Sequence, residues 1–254
     1  MNKLLTTTTF LLMALANVSY VHAQRHVILG SNTQMSDPET ITVVMDITVS
    51  DLRIRHAKSD GPRPYDCNYG TLEWIELSGP INEDTTEVLK RLFERADHCR
   101  IAQHDSKTSG MDIWLNSRGG TLSDGFAIGR LFRELEIETM ITLDQECASA
   151  CAIAFLGGTA RTMHGNTSTS TPNQTEARII FHSPYREASS NMIDCSSREE
   201  MAELRNYYEE MLNAGTGELL FNRTMDNCDA AGGWALNPGA AELFGLLKGT
   251  DKYR

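Results

Sequence analysis

Apolar and polar positions along the chain follow two periods, near two and near 3.6, and the switches between them mark the elements. Thr40 to Leu52 (TITVVMDITVSDL) is rich in β-branched residues and predicts a strand, with Lys58 to Pro64 a loop after it. Thr71 to Leu77 alternates as a second strand and ends in the turn Ser78-Gly79-Pro80. From Asn82 to Ala96 the apolar residues Val88, Leu89, Leu92, Phe93 and Ala96 share one helical face, with Asn82 or Asp84 as the cap. Met111 to Leu115 is a short apolar strand running into Asn116-Ser117-Arg118-Gly119-Gly120. A helix follows with Phe126, Ala127, Leu131 and Leu135 on its inner side, and then a strand from Ile137 to Leu143. Polar Asp144-Gln145-Glu146 next gives way to Cys147-Ala148-Ser149-Ala150-Cys151 and an apolar run to Gly157-Gly158, which reads as a tight turn feeding a buried helix.

Beyond the glycines, Arg161 to Met163 predicts a short strand and Gly165 to Glu176 a polar surface insertion. Arg178 to Phe181 is a strand that stops at His182-Ser183-Pro184. Ser197 and Glu200 form a capping box ahead of Met201, Leu204, Tyr208 and Met211, a stripe at helical spacing. Trp234, Leu236 and a small helix from Pro238 to Leu243 close the chain. The strand–helix alternation implies parallel strands joined by right-handed crossovers. Trp74, Trp114 and Trp234 are expected in the core.

The first 23 of the 254 residues do not fit this pattern. Lys3, an apolar stretch from Phe10 to Ala16 and Val21-His22-Ala23 read as a secretory signal peptide cut before Gln24. The expected organisation is a signal peptide at 1–23, an N-terminal arm and strand at 24–66, and one α/β domain at 67–254. Removing Lys3 changes the net charge from −11 to −12, which disfavours nucleic acid and anionic membranes as partners. Export also makes disulfides the default for the six cysteines. Flanking sequence suggests Cys67 with Cys99, Cys195 with Cys228, and Cys147 either free or with Cys151. The Cys-x3-Cys spacing is not a usual metal spacing, so no metal site is expected.

Three strand ends carry the candidate chemistry. Gly119-Gly120 offers bare backbone N–H groups to a developing oxyanion. Ser149 stands at a strand-to-helix junction, where unpaired N–H groups and the helix dipole favour negative charge. His182 stands at a third end, and a histidine within hydrogen-bond reach makes a serine nucleophilic near neutral pH.

The motifs Leu77-Ser78-Gly79-Pro80-Ile81, Leu115-Asn116-Ser117-Arg118-Gly119-Gly120-Thr121, Cys147-Ala148-Ser149-Ala150-Cys151, Ile180-Phe181-His182-Ser183-Pro184 and Ala241-Glu242-Leu243-Phe244-Gly245-Leu246 occur in one order. In this the chain resembles the ClpP/crotonase-like superfamily, in particular its exported bacterial ClpP-like members, from about Thr71 to Leu247. The resemblance implies a spiral of βαβ units with mostly parallel strands. It implies Ser149 as nucleophile, His182 as general base, and the Gly119-Gly120 turn with Ala150 as oxyanion hole, the N–H groups being those of Gly120 and Ala150. The family's Asn-Ser-Pro-Gly-Gly reads Asn-Ser-Arg-Gly-Gly here, which sets the charge of Arg118 beside that site. Its third catalytic member, an aspartate before the closing helix, aligns with Ala230-Ala231-Gly232-Gly233-Trp234, where there is no acid. Asp229 is the nearest replacement, then Asp226, with Asp194 a poorer one.

The expectation is an exported serine hydrolase, in the periplasm or secreted, acting without ATP as a peptidase on short or unfolded chains. It would need no cofactor, and a homo-oligomer is left open. The rival is a catalytically silent scaffold that binds peptide or protein in the same crevice.

Overall fold

The computed structural model describes residues 26–27, 40–49, 51–60, 71–95, 111–165, 176–187, 193–228 and 232–249. In chain order the elements are β1 (His26–Val27), β2 (Thr40–Val49), β3 (Leu52–Asp60), β4 (Thr71–Ser78), α1 (Thr85–Arg95), β5 (Met111–Asn116) and α2 (Leu122–Glu134). They continue as β6 (Glu138–Ile141), β7 (Glu146–Ala148), α3 (Ala150–Leu156), β8 (Arg161–Met163), β9 (Arg178–Phe181), β10 (Tyr185–Glu187) and β11 (Ile193–Cys195). The last are α4 (Ala202–Met211), α5 (Ala214–Met225), β12 (Trp234–Leu236) and α6 (Pro238–Leu243).

The fold is mixed α/β. One sheet has the order β1-β2-β3-β4-β5-β6-β8, a second has β12-β9-β7, and β10 pairs with β11. The parallel strands implied by the strand–helix alternation are β4, β5, β6 and β8 in the large sheet and β7 with β9 in the small one. Antiparallel strands are added at the margins. Ser117 joins the two sheets: its N–H donates to the Glu146 carbonyl (2.8 Å), and its carbonyl accepts from the Ala148 N–H (2.9 Å). The tail of β5 therefore lies beside β7, which lies beside β9.

The segment read as one strand from Thr40 to Leu52 is the first arm of a hairpin that turns at Asp51, where φ is +69°. Its return arm, β3, occupies residues assigned in part to a loop. Leu52 and Ile54 face inward, fully buried, while Arg53 and Arg55 alternate outward, so the pattern is that of a half-buried strand. The capping box at Ser197 and Glu200 is formed: the Ser197 N–H donates to Glu200 Oε2 (2.8 Å) and the Glu200 N–H to Ser197 Oγ (3.3 Å). Trp74 is buried and stacks on half-buried Trp114 at 4.7 Å, on the sheet face opposite the helices.

The core lies between the helices and the inner face of the large sheet, where Ile75, Leu77, Ile113 and Leu115 meet Phe93, Phe126 and Phe132. At its centre is α3, every residue of which is buried. Phe155 and Leu156 alone, fully enclosed, each contribute about 1.5–3 kcal/mol by burial. Tyr207, from α4, donates its hydroxyl to the Ile153 carbonyl (2.8 Å). Two arginines hold the carbonyls at the C-terminal end of α3. Arg161 donates to the carbonyls of Leu246 (2.6 Å), Gly158 (2.9 Å) and Leu156 (3.3 Å), and Arg133 to those of Gly157 (2.9 Å) and Leu156 (3.0 Å). Burial, and next the charge of Arg133, bring the Arg161 guanidinium down to about 10. Cations at that end complement the helix dipole.

Cys195–Cys228 is formed, and of the two states left open for Cys147 the bond to Cys151 is the one present. The predicted signal peptide, Cys67 with Cys99, and residues 166–175 of the polar insertion lie outside the described residues. No helix among the described residues is long and apolar enough to cross a membrane.

Candidate active site

The strand order brings three of the predicted site positions together. The Gly119-Gly120 turn continues from β5, Ser149 follows β7, and His182 follows β9, so the ends of three adjoining strands carry them.

Ser149 has φ +55° and ψ −125°, a backbone conformation that side-chain-bearing residues rarely adopt and that costs about 1–3 kcal/mol. Its N–H donates to the Ile180 carbonyl (3.0 Å), and its own carbonyl accepts from Ile153, opening α3. The Cys147–Cys151 bond spans the turn, linking the strand before the serine to the helix after it. A sharp strand-to-helix turn of this kind lifts the serine hydroxyl out of the layer of buried residues around it.

The glycine pair is packed against that turn. A Cβ on Gly119, whose φ is +98°, would lie 2.7 Å from Ser149 Cβ and 2.9 Å from the Ala150 nitrogen. One on Gly120 would lie 1.7 Å from the Ile81 carbonyl oxygen, so only glycine fits at either position. The Gly119 N–H donates to Ser117 Oγ (3.0 Å), and its carbonyl accepts from Ile81 (2.8 Å). Gly119 therefore contributes space and not a donor. Ile81 also accepts from the Thr121 N–H (3.1 Å), and strand alternation turns the intervening Gly120 N–H away from Ile81. The Ala150 N–H belongs to the first turn of α3, where no intrahelical acceptor exists. The Gly120 N–H is thus not engaged by Ile81, nor the Ala150 N–H by its own helix. Ser117, buried, is a supporting residue that the sequence did not single out.

His182 is half-buried beside the same turn. Parallel pairing sets Ala148 against Ile180, which places Ser149 level with Phe181 and one residue short of His182, across a strand spacing of about 4.8 Å. Phe181 turns into the core against Tyr208 and Trp234, so the next residue faces the other way. The His182 ring lies at 5.5 Å from that of Tyr185, and Nδ1 is 3.0 Å from the Ser183 carbonyl oxygen. A carbonyl only accepts, so Nδ1 is the donor in that contact.

The described candidate acids are placed away from His182. Antiparallel register sets Trp234 against Phe181 and hence Gly233 against His182, and a Cβ on Gly233 would be 3.2 Å from His182 Cβ. No side chain stands at that position. Asp226 is exposed at the end of α5 and ion-paired to Arg198 at 2.5 Å. Asp194 is exposed on β11, opposite Arg186. Asp229 lies outside the described residues. Two ties hold the histidine loop to the end of α5: the Ser183 N–H donates to the Asn227 carbonyl (2.8 Å), and Cys195 of the β10–β11 hairpin is bonded to Cys228.

An open pocket lies on the sheet face that carries Trp114, lined by Arg53, Arg55, Glu76, Trp114, Asn116 and Gln145 among others. It is not centred on Ser149. Among the described residues no group of His, Cys, Asp or Glu side chains could hold a metal ion.

No protein-family model matches the chain, and no curated protein matches it. Among solved structures it is similar to an alanine mutant of the 1510-N membrane-bound stomatin-specific protease, at 18% identity and a TM-score of 0.49, over 68% of this chain and 75% of that one. A second alanine mutant of that protease, in complex with a substrate peptide, matches at 18% and 0.49 over 68% and 71% of the two chains. The ClpP protease catalytic domain from Plasmodium falciparum matches at 20% and 0.42 over 69% and 84%. Likeness at this level assigns no role to any residue, and the α/β architecture stands on the strand pairing itself.

Proposed function

We propose that the chain is an exported serine hydrolase of the ClpP-like kind, an ATP-independent peptidase with Ser149 as its nucleophile. The observation that carries this reading is the backbone of Ser149. A serine held at φ +55° between disulfide-linked cysteines, with a glycine packed against its Cβ, has a strained geometry that a merely structural serine does not need.

In this reading His182 Nε2 takes the Oγ proton as Ser149 attacks a substrate carbonyl. The tetrahedral oxyanion accepts hydrogen bonds from the Gly120 and Ala150 N–H groups. His182 then returns the proton to the leaving amine, and water hydrolyses the acyl-enzyme by the same route. The Ser183 carbonyl holds the imidazole in the required tautomer; whether Asp229 shares that role is decided by mutation. Two disulfides among the described residues support export to the periplasm or beyond.

The test is labelling of the purified protein with a fluorophosphonate. A single adduct on Ser149, lost in Ser149→Ala, is the expected result. A well-folded protein that does not label, while Ser149→Ala still binds peptides, would make the crevice a binding site and end the hydrolase reading.

A further inference from the structure

Along the tail of β5, Leu115 and Ser117 are buried while Asn116 and Arg118 are exposed, the alternation of a strand with one face in water. Arg118 is therefore displayed on the open face, one residue before Gly119. The Gly119 Cβ position lies 2.7 Å from Ser149 Cβ. Adding one step of about 3.8 Å between successive Cα atoms puts the Arg118 Cα at most about 8 Å from Ser149 Cβ, two to three residues of extended peptide.

The other arginines nearby are matched. Arg53 pairs with Asp46 at 2.5 Å, Arg55 with Glu76 at 3.3 Å, and Arg178 with Glu146 at 2.5 Å. Arg118 has no such partner among the described residues. It is an unmatched cation at the rim of the crevice in a chain whose net charge is −11. The row Trp114, Asn116, Arg118 on the open face also leads from the Ser149 turn toward the open pocket that Trp114 and Asn116 line. A substrate arm leaving Ser149 along β5 passes Arg118 first.

We propose that Arg118 is a specificity-determining residue of this site, selecting peptides that carry a carboxylate within about two residues of the bond held at Ser149. That a bond is cleaved there rests on the hydrolase reading; the binding preference does not. Arg118 would act on the substrate side chain or C-terminal carboxylate, and not on the oxyanion, which the Gly120 and Ala150 N–H groups face.

The test uses the full chain carrying Ser149→Ala, with end-capped peptides that differ only by Asp or Asn at each central position, followed by fluorescence anisotropy. An exposed ion pair predicts Asp peptides binding about 2–5-fold tighter than their Asn partners. That ratio should shrink as salt rises and the Debye length shortens. Arg118→Gln, with its melting temperature matched to the parent, should bring the ratio to one. Arg118→Glu should favour Lys at the same position. In the Ser149 protein the Asp/Asn ratio of kcat/KM should follow the binding ratio. A parent that shows no preference, or a preference that survives Arg118→Gln, overturns the proposal. So does an equal loss for Asp and Asn peptides, which would place Arg118 at the oxyanion instead. If the Ser149 protein neither labels nor cleaves while the preference and its dependence on Arg118 stand, the hydrolase reading fails and the carboxylate subsite remains.

Discussion

Replacing both Cys147 and Cys151 by Ala tests what holds the Ser149 turn in its unfavourable conformation. The closed loop runs over five residues, since the cysteines are four apart in sequence. For a loop that short the chain-entropy estimate gives a stabilisation of about 2 kcal/mol. The strain at Ser149, about 1–3 kcal/mol, is of the same size. The bond therefore offsets the turn, and its loss can act in two places. If it acts on the whole domain, about 2 kcal/mol lowers the melting temperature by about 4–8 °C for a chain of this length. If it acts locally, the fraction of molecules with the turn correctly set falls by up to about 30-fold. Melting curves and fluorophosphonate labelling rates of the same double variant separate the two. The expected outcome is slowed labelling at temperatures well below the transition. A melting temperature that drops by the full amount while labelling proceeds at the wild-type rate would refute the reasoning, because the bond would then support the domain without holding the serine.

Four further outcomes are expected. His182→Ala should slow labelling by about 10²–10⁴-fold, the usual worth of a general base, with folding checked by circular dichroism. Asp226→Ala and Asp194→Ala should label within a few-fold of wild type, and Asp226→Ala should cost no more than the ~1 kcal/mol of an exposed ion pair in a denaturant titration; Asp229→Asn, measured beside them, shows whether a carboxylate supports the base at all. Gly119→Ala should abolish labelling, since its Cβ would meet Ser149 Cβ at 2.7 Å with φ in the left-handed region. Burial raises the hydroxyl pKa of both Tyr207 and Tyr208, so above pH 10 the unfolded chain sheds protons that the native state keeps, and stability should fall as pH rises; buried Arg161, at about 10 against 12.5 when exposed, works in the opposite sense but is one group against two. Urea titrations at pH 8 and 11 should show that loss, and Tyr207→Phe should reduce it while costing about 1–3 kcal/mol for the unsatisfied Ile153 carbonyl.

Elements with a clean period were legible from residue letters: α1, α2, β4, β5 and the capped start of α4 all follow from spacing and caps. Three were not. β3 alternates apolar residues with arginines that emerge on the open face, which reads as a polar connector. β7 has three residues, too few for a period. α5 opens Ala-Gly-Thr-Gly, and each interior glycine costs about 1 kcal/mol of helix propensity. Packing overrides that cost, because a Cβ on Gly217 would come within 2.6 Å of the Glu209 nitrogen and so would hold α4 and α5 apart. At the candidate site, the convergence of the glycine pair, Ser149 and His182 followed from strand ends alone. The choice of Gly120 over Gly119 as the free N–H came from the family resemblance, and its physical reason lies in the N–H and carbonyl groups that Ile81 and Ser117 engage.

A similar limit applies to the third catalytic position that the resemblance implies, where Ala230 to Trp234 hold no acid. A triad acid does two things: it fixes the tautomer and orientation of the histidine, and it stabilises the imidazolium that forms. The first needs only an acceptor on Nδ1, and any carbonyl can serve. The Ser183 carbonyl is one residue away, and Ser183 is itself held by its N–H to Asn227 and by the Cys195–Cys228 link beside it. The second needs negative charge, which a carbonyl supplies only as a partial dipole. Backbone has no letter of its own, so a search for an aspartate between Ala230 and Trp234 finds glycine and alanine and cannot see the group that meets Nδ1. In the proposed hydrolase, a site relying on the Ser183 carbonyl alone would keep the base correctly aimed while giving up part of the electrostatic help, which Asp229 would restore if it shares the role. Such a site would suit a nucleophile whose geometry is fixed by other means, and a disulfide at one end of α3 and two arginines at the other hold the helix that follows Ser149.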